Sequence, residues 1–228
     1  MNKKGFIFDL DGVVVDTAKY HFLAWRQLAN SLGIDFTEEE NEQLKGVSRV
    51  RSLEKILEWG NKTLSQDEFT SLMATKNEEY LSHINKMDAN EVLPDVLKVL
   101  NFLEERQQGI SLGSASKNAR PILERVELLN KFHAIVDGND VSEAKPNPEV
   151  FLKGAELLDM EPHNCVVFED SVAGVQAANR ANMISIGIGE KHVLHEADYI
   201  FKDFTEMSTQ FIDEIISGKI SKVNQIIQ

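Results

Sequence analysis

The sequence predicts an α/β fold, a Rossmann-like parallel sheet core with an inserted all-helical cap domain. Three observations carry it. From about Leu93 onward, short apolar runs alternate with helical patterns. Between residues 18 and 90 the periodicity is helical throughout, with no convincing strand. One more apolar run, Phe6-Ile7-Phe8, stands ahead of that helical block, so it joins the later sheet.

The elements follow in order. The first strand starts near Gly5 and ends in Asp9-Leu10-Asp11-Gly12, where glycine can relax the backbone. His21, Phe22, Trp25, Leu28, Ala29 and Leu32 recur at helical steps, and Gly33 can close that helix. Further helices are expected over about residues 37–44, 49–59 and 65–83, the last opened by a Ser65/Glu68 capping box. A helix over about 95–106 precedes a strand at 109–114, and a helix over about 119–128 precedes a strand at 134–136. Pro146 and Pro148 mark the entry to a helix over 149–158. Strands at 164–168 and 184–188 flank a helix over 174–181, Tyr199-Ile200-Phe201 reads as an edge strand, and a last helix starts from about Thr205. The expected division is a core of residues 1–14 and 92–228 and a cap of residues 15–91. The chain crosses between them twice, near 14–17 and 85–92, as a paired hinge would require.

Composition excludes several partner classes. The 228 residues carry a formal charge of -13, which disfavours nucleic acid and anionic membrane surfaces. A few placed lysines can still serve a small phosphorylated substrate. Cys165 is the single cysteine and sits in an apolar run, so no intrachain disulfide forms. The start Met1-Asn2-Lys3-Lys4 leads straight into the first strand, with no signal peptide pattern and no membrane-length apolar run. A cytoplasmic monomer is the expectation.

Four segments fall at the ends of expected strands, where open α/β sheets bind ligands. Asp9 and Asp11 can divide labour between nucleophile and proton carrier. The triplet Val13-Val14-Val15 rules against a calcium loop, which needs oxygen ligands at alternate positions. The run Gly113-Ser114-Ala115-Ser116-Lys117-Asn118 offers hydroxyls and turn amides to a phosphoryl group. Lys145, ahead of Pro146, can neutralise phosphate charge, and Glu169-Asp170 with Asp9 offers hard oxygen ligands for Mg²⁺. Each piece alone has a plainer reading: solvated acids at a strand end, a helix-capping serine, a surface lysine, an acidic helix start. Their joint order is the informative feature.

That order resembles the motif set of the haloacid dehalogenase superfamily, over almost the entire chain. The resemblance implies that Asp9 becomes an aspartyl-phosphate, that Asp11 is the general acid/base, and that Lys145 stabilises charge. It implies that Ser114 and the Ala115 amide bind phosphate. It also implies Mg²⁺ at Asp9, the Asp11 carbonyl, Glu169 and Asp170. Dehalogenases of the superfamily lack an acid matching Asp11, and its P-type ATPases carry threonine there.

The cap narrows the reading. Its segments 16–25, 44–49 and 75–80, together with 112–119, resemble the phosphosugar mutases of that superfamily. By that resemblance Arg49 binds the phosphate that is not transferring, and Lys45 and Gly46 lie in a specificity loop. His21 and Lys76 link cap closure to Asp11. Thr17, Ser116, Lys117 and Asn118 complete the substrate contacts. The implied reaction interconverts β-D-glucose 1-phosphate and β-D-glucose 6-phosphate. β-glucose 1,6-bisphosphate is its intermediate and activator. The alternative is a Mg²⁺-dependent phosphatase of sugar phosphates or another small phosphomonoester. One departure is Val50-Arg51, where the family often has acids. Read alone, His21 is a core histidine in an apolar stripe, and Arg49 and Lys76 are surface charges.

Overall fold

A computed structural model describes residues 3–45 and 47–223. The chain runs β1 (Gly5–Phe8), α1 (Ala18–Ser31), α2 (Glu38–Glu42), α3 (Arg49–Trp59), α4 (Gln66–Ile84), α5 (Val96–Glu105) and β2 (Gly109–Gly113). It continues with α6 (Ala119–Arg125), β3 (Ala134–Val136), α7 (Glu149–Leu157), β4 (Cys165–Glu169), α8 (Val172–Arg180), β5 (Ile184–Ile188), β6 (Tyr199–Phe201) and α9 (Thr209–Ile216).

The six strands form one parallel sheet in the order β3-β2-β1-β4-β5-β6. Strand order reverses at β1, where Phe8 pairs with Leu112 on one side and Phe168 on the other. The crevice for a ligand lies at that reversal, beyond the carboxyl ends of the strands. Both sheet faces are covered, as the unbroken apolar strands require. Phe6, Phe8, Val166 and Phe168 pack on one face, with the Phe8 and Phe168 rings stacked at 4.6 Å. Ile7 and Val167 pack on the other with Phe151. Each strand thus sends alternate residues to opposite layers.

Helices α1–α4 bury their own cluster, including Trp25, Leu28, Phe36, Leu53 and Ile56. Thr37 with Glu40, and Ser65 with Glu68, make reciprocal capping boxes that start α2 and α4. Gly33 takes φ +70° after α1, the left-handed turn that a side chain would resist. The two segments joining this block to the sheet pair with each other. Asp16 N–H donates to Glu91 O at 3.0 Å, and Leu93 N–H donates to Val14 O at 3.0 Å.

Several boundaries differ from expectation. The helix after Asn118 stops at Arg125 because Glu127 enters the left-handed region at φ 62°. The helix expected from Thr205 starts only at Thr209. Asp203 caps a separate 3₁₀ turn over Phe204–Glu206, and Ser208 Oγ accepts from Phe211 N–H to start α9. The helix expected at Gly174 begins two residues earlier, because Ser171 Oγ accepts from Gly174 N–H at 3.0 Å.

Candidate active site

The ends of β1, β2 and β4 bring their polar residues together as the register dictates. Asp9 follows β1, Ser114 follows β2, and Glu169 closes β4 with Asp170 next. Lys145, on the segment entering α7, completes the group. Its ammonium lies 2.6 Å from Glu169 Oε1 and also donates to Asp9 Oδ1. Both of its neighbours are carboxylates, and all three groups are buried. Burial alone would lower the Lys145 pKa, but Asp9 and Glu169 outweigh it and hold the lysine charged. Burial pushes Asp9 well above the usual carboxylate range, against the pull of Lys145. Burial and Glu169 push Asp170 to about 7, with Lys45 opposing.

Glu169 is fully engaged, since its Oε2 accepts from Ser171 N–H at 2.8 Å and Ser171 Oγ–H at 3.0 Å. Oxygens of Asp9, Glu169 and Asp170 lie within 4.8 Å of one another. Two buried carboxylates and the half-buried Asp170 outnumber the Lys145 and Lys45 ammonium groups beside them, and hard oxygen donors in that arrangement fit a divalent cation. Two glycines make room for the cluster. A Cβ on Gly12 would lie 2.2 Å from Asp170 Oδ2, and one on Gly174 would lie 1.8 Å from Glu169 Oε1.

Asp11 faces the helical block. It accepts a hydrogen bond from Thr17 Oγ1–H, and His21 Nε2 lies 3.9 Å from its Oδ1. Burial raises the Asp11 pKa, opposed by the Thr17 hydrogen bond, so this acid keeps its proton more readily than a solvated one. His21 Nδ1 is 3.0 Å from Lys76 Nζ. Burial holds His21 well below its usual range, with Lys76 and Arg49 adding repulsion. Lys76 falls to about 7 through burial and the Arg49 charge, despite Asp11. Its ammonium sits over the Trp25 and Tyr80 rings at 4.6 and 4.7 Å.

A cavity of about 490 Å³ joins the two halves. Asp9, Asp11, His21, Lys45, Arg49, Lys76, Ser114, Ala115, Ser116, Lys117, Lys145 and Asp170 line it together. Lys45 spans the gap, 3.5 Å from Asp170 Oδ2. Three expected site residues do not line it. Thr17 is fully buried and spends its hydroxyl on Asp11. Asn118 donates Nδ2–H to Asn77 Oδ1 at 3.2 Å, which ties α6 to α4. Glu169 lies behind Lys145. Gly46 lies outside the described residues.

The sequence reading passed over Asn41, Ser48 and Ser52, which also line the cavity. Ser48 and Ser52 had a signal: Ser48 precedes Arg49 as a helix cap, and Ser52 lies one turn on, facing the same way. Asn41 had none. The departure at Val50-Arg51 changes the cavity little. Arg51 turns away to pair with Glu54 at 3.0 Å and Glu58 at 2.9 Å, leaving Val50 at the rim.

Residues 3–182 match the family of haloacid dehalogenase-like hydrolases. The chain belongs to that family. Among its haloacid dehalogenase-like relatives is a β-phosphoglucomutase from Bacillus subtilis (strain 168). It is 38% identical over 213 residues, covering 92% of this chain and 94% of that protein. The fructose-1-phosphate phosphatase YqaB of Escherichia coli (strain K12) is 32% identical, over 81% of this chain and 95% of that protein. The crystal structure of β-phosphoglucomutase from Clostridium difficile superposes with a TM-score of 0.91 at 40% identity. The match covers 95% of this chain and 98% of that one. Among the described residues no helix is long and apolar enough to cross a membrane.

Proposed function

We propose that this enzyme is a β-phosphoglucomutase, interconverting β-D-glucose 1-phosphate and β-D-glucose 6-phosphate. The observation that carries the reading is the cavity itself. Arg49, Ser116 and Lys117 line the same space as Asp9 and Ser114. A hydrolase needs one phosphate cradle, whereas a mutase must hold a phosphate at each end of its sugar. The similarity to two β-phosphoglucomutases over nearly the whole chain supports it.

In this reading residues 15–91 form a cap that closes over the strand ends. Asp9 carries the phosphoryl group as an acyl phosphate. Its Oδ attacks phosphorus, and Ser114 and Lys145 balance charge on the equatorial oxygens. Asp11 takes the proton from the attacking sugar hydroxyl, and in the reverse half returns one to the leaving oxygen. The product of the first transfer, β-glucose 1,6-bisphosphate, turns over in the cavity. Its other phosphate then returns to Asp9. Mg²⁺ at Asp9, the Asp11 carbonyl and Asp170, with Glu169 behind, would supply electrophilic stabilisation of the transferring group.

Water competes with sugar for the acyl phosphate. Suppressing hydrolysis by ~10⁴ takes about 5.5 kcal/mol of discrimination, which cap closure on a bound sugar can supply. The second reading is a phosphatase of sugar phosphates with the same Asp9 chemistry, favoured by the phosphatase relative. Phosphorus NMR separates the two. Protein, Mg²⁺, β-glucose 1-phosphate and a trace of β-glucose 1,6-bisphosphate should give glucose 6-phosphate with little inorganic phosphate. Dominant release of inorganic phosphate would establish hydrolysis instead.

A further inference from the structure

We propose that Asn139 is a positioning residue that fixes the anion-binding segment Ser116–Lys117 and thereby sets affinity for the phosphate that is not transferring. This inference rests on the mutase reading above.

Within the segment, the amide hydrogens turn inward. Ser114 Oγ accepts from Ser116 N–H at 3.0 Å, and Ser116 Oγ accepts from Asn118 N–H at 3.2 Å. Its carbonyls turn the other way, onto the loop that follows β3. Ser116 O accepts from Gly138 N–H at 3.1 Å. Lys117 O accepts from Asn139 Nδ2–H at 3.1 Å. The second Nδ2 hydrogen goes to Asp137 Oδ1 at 2.9 Å, and Asn139 N–H reaches the same oxygen at 2.8 Å. Both neighbours of that amide nitrogen are oxygens, so only a donor serves there.

The support beneath is buried and paired. Asp137 is 1% exposed, with Arg120 Nε 3.4 Å from its other oxygen. Gly138 lets the two backbones approach: a Cβ there would lie 2.4 Å from Ala115 O. Asn139 itself is exposed and does not line the cavity. It acts on substrate only through Lys117, an exposed residue whose long side chain needs a fixed root to aim it.

The test pairs two reactions of purified full-length protein. One is steady-state conversion of β-glucose 1-phosphate with Mg²⁺ and β-glucose 1,6-bisphosphate. The other is single-turnover phosphorylation of Asp9 by acetyl phosphate. In the latter the phosphoryl group passes to Asp9, acetate leaves, and no second anion is present. Asn139→Ala should raise KM for the sugar phosphate about tenfold, the loss of one hydrogen bond to a fixed carbonyl. Asn139→Asp, the same shape with oxygen facing oxygen, should raise it further. Phosphorylation by acetyl phosphate should stay within about twofold in both. An unchanged KM in both variants, or equal slowing of both reactions, would overturn the proposal. If the parent enzyme itself fails to convert the sugar phosphate, the mutase reading falls and this inference with it.

Discussion

Lys76 Nζ lies 3.0 Å from His21 Nδ1, and whenever Lys76 carries its proton it has only hydrogens to offer, so His21 then accepts. In that state the neutral imidazole carries its proton on Nε2, the nitrogen 3.9 Å from Asp11 Oδ1. While protonated, one lysine of α4 thus selects the tautomer that lets α1 donate toward the acid after β1. His21→Asn should lower mutase turnover by about tenfold to a hundredfold. Hydrolysis of the aspartyl-phosphate should change much less, because water does not depend on the same alignment. Equal loss in the two rates, measured by phosphate release and glucose 6-phosphate formation, would refute the assignment.

Lys76 also makes stability depend on pH. Its usual pKa is 10.5, and in the fold it is about 7. Between those values the unfolded chain holds a proton that the folded chain lacks. Its contribution to stability therefore rises with pH from about 7 to about 10.5. Lys76→Met removes the cost of burying the ammonium. Its melting temperature should exceed the parent's at pH 6, and that advantage should shrink by pH 9.5. A difference that does not vary with pH would show that the lysine is not desolvated.

At the proposed Mg²⁺ site, proton and cation would compete for Asp170. With its pKa near 7 in the crowded carboxylate group, bound Mg²⁺ must displace a proton below that pH. Apparent Mg²⁺ affinity should weaken by up to about tenfold per unit below pH 7 and level off above it. Titration calorimetry in buffers of different ionisation enthalpy should find more proton release at pH 6 than at pH 8.5. Asp170→Asn should bind the cation about tenfold or more weakly and release fewer protons than the parent at pH 6.

Helix propensity and site packing disagree at Gly174, inside α8. By propensity alone, alanine would stabilise the helix by about 1 kcal/mol. The added Cβ would instead lie 1.8 Å from Glu169 Oε1, whose partner is Lys145. Packing wins here, because Glu169 is enclosed and cannot swing away. Gly174→Ala should lose about 2 kcal/mol of stability and at least about a hundredfold in turnover. Denaturant unfolding gives the sign directly.

At the opposite end of the sheet Lys222 plugs a ring of oxygens. Its ammonium lies 2.7 Å from Met183 O, 2.8 Å from Asn179 Oδ1 and 3.0 Å from Asp198 Oδ2. The Asp198 side chain is only 1% exposed. Lys222→Ala leaves that carboxylate without its cation and should cost about 2 kcal/mol, discounted for the part-exposed lysine. Turnover at 25 °C should be unaffected, since these residues lie far from the strand ends that hold Asp9.

What the sequence made legible was whatever depends on short range or on topology. Asp9 and Asp11 stand next to the strand that aims them, and the alternation of strands and helices placed Ser114, Lys145 and Asp170 at the same sheet edge. His21 shows where periodicity runs out. The apolar stripe on α1 identifies a face, but the same face meets both the helical core and the cavity. Thr17 is a substrate contact by the resemblance alone, yet burial turns its hydroxyl onto Asp11. Ser208 was missed as the start of α9 because Asp203 offers a competing cap five residues earlier. Asn139, which holds Lys117, and Lys222, which holds Asp198, lie 22 and 24 residues from their partners, beyond any local pattern.

The pairing of Val14–Asp16 with Glu91–Leu93 has a consequence for how such a chain can be rebuilt. The helical insertion leaves and re-enters the sheet at hydrogen-bonded neighbours, so a single cassette of residues 17–90 can be excised or exchanged while the strand order stays intact. Arg49 and Lys76 travel with the cassette; Asp9, Ser114 and Lys145 stay behind. On the proposed roles, part of substrate recognition moves with the cassette while Asp9 stays, so a cap exchanged at this seam should alter substrate choice and leave the phosphorylated aspartate in place.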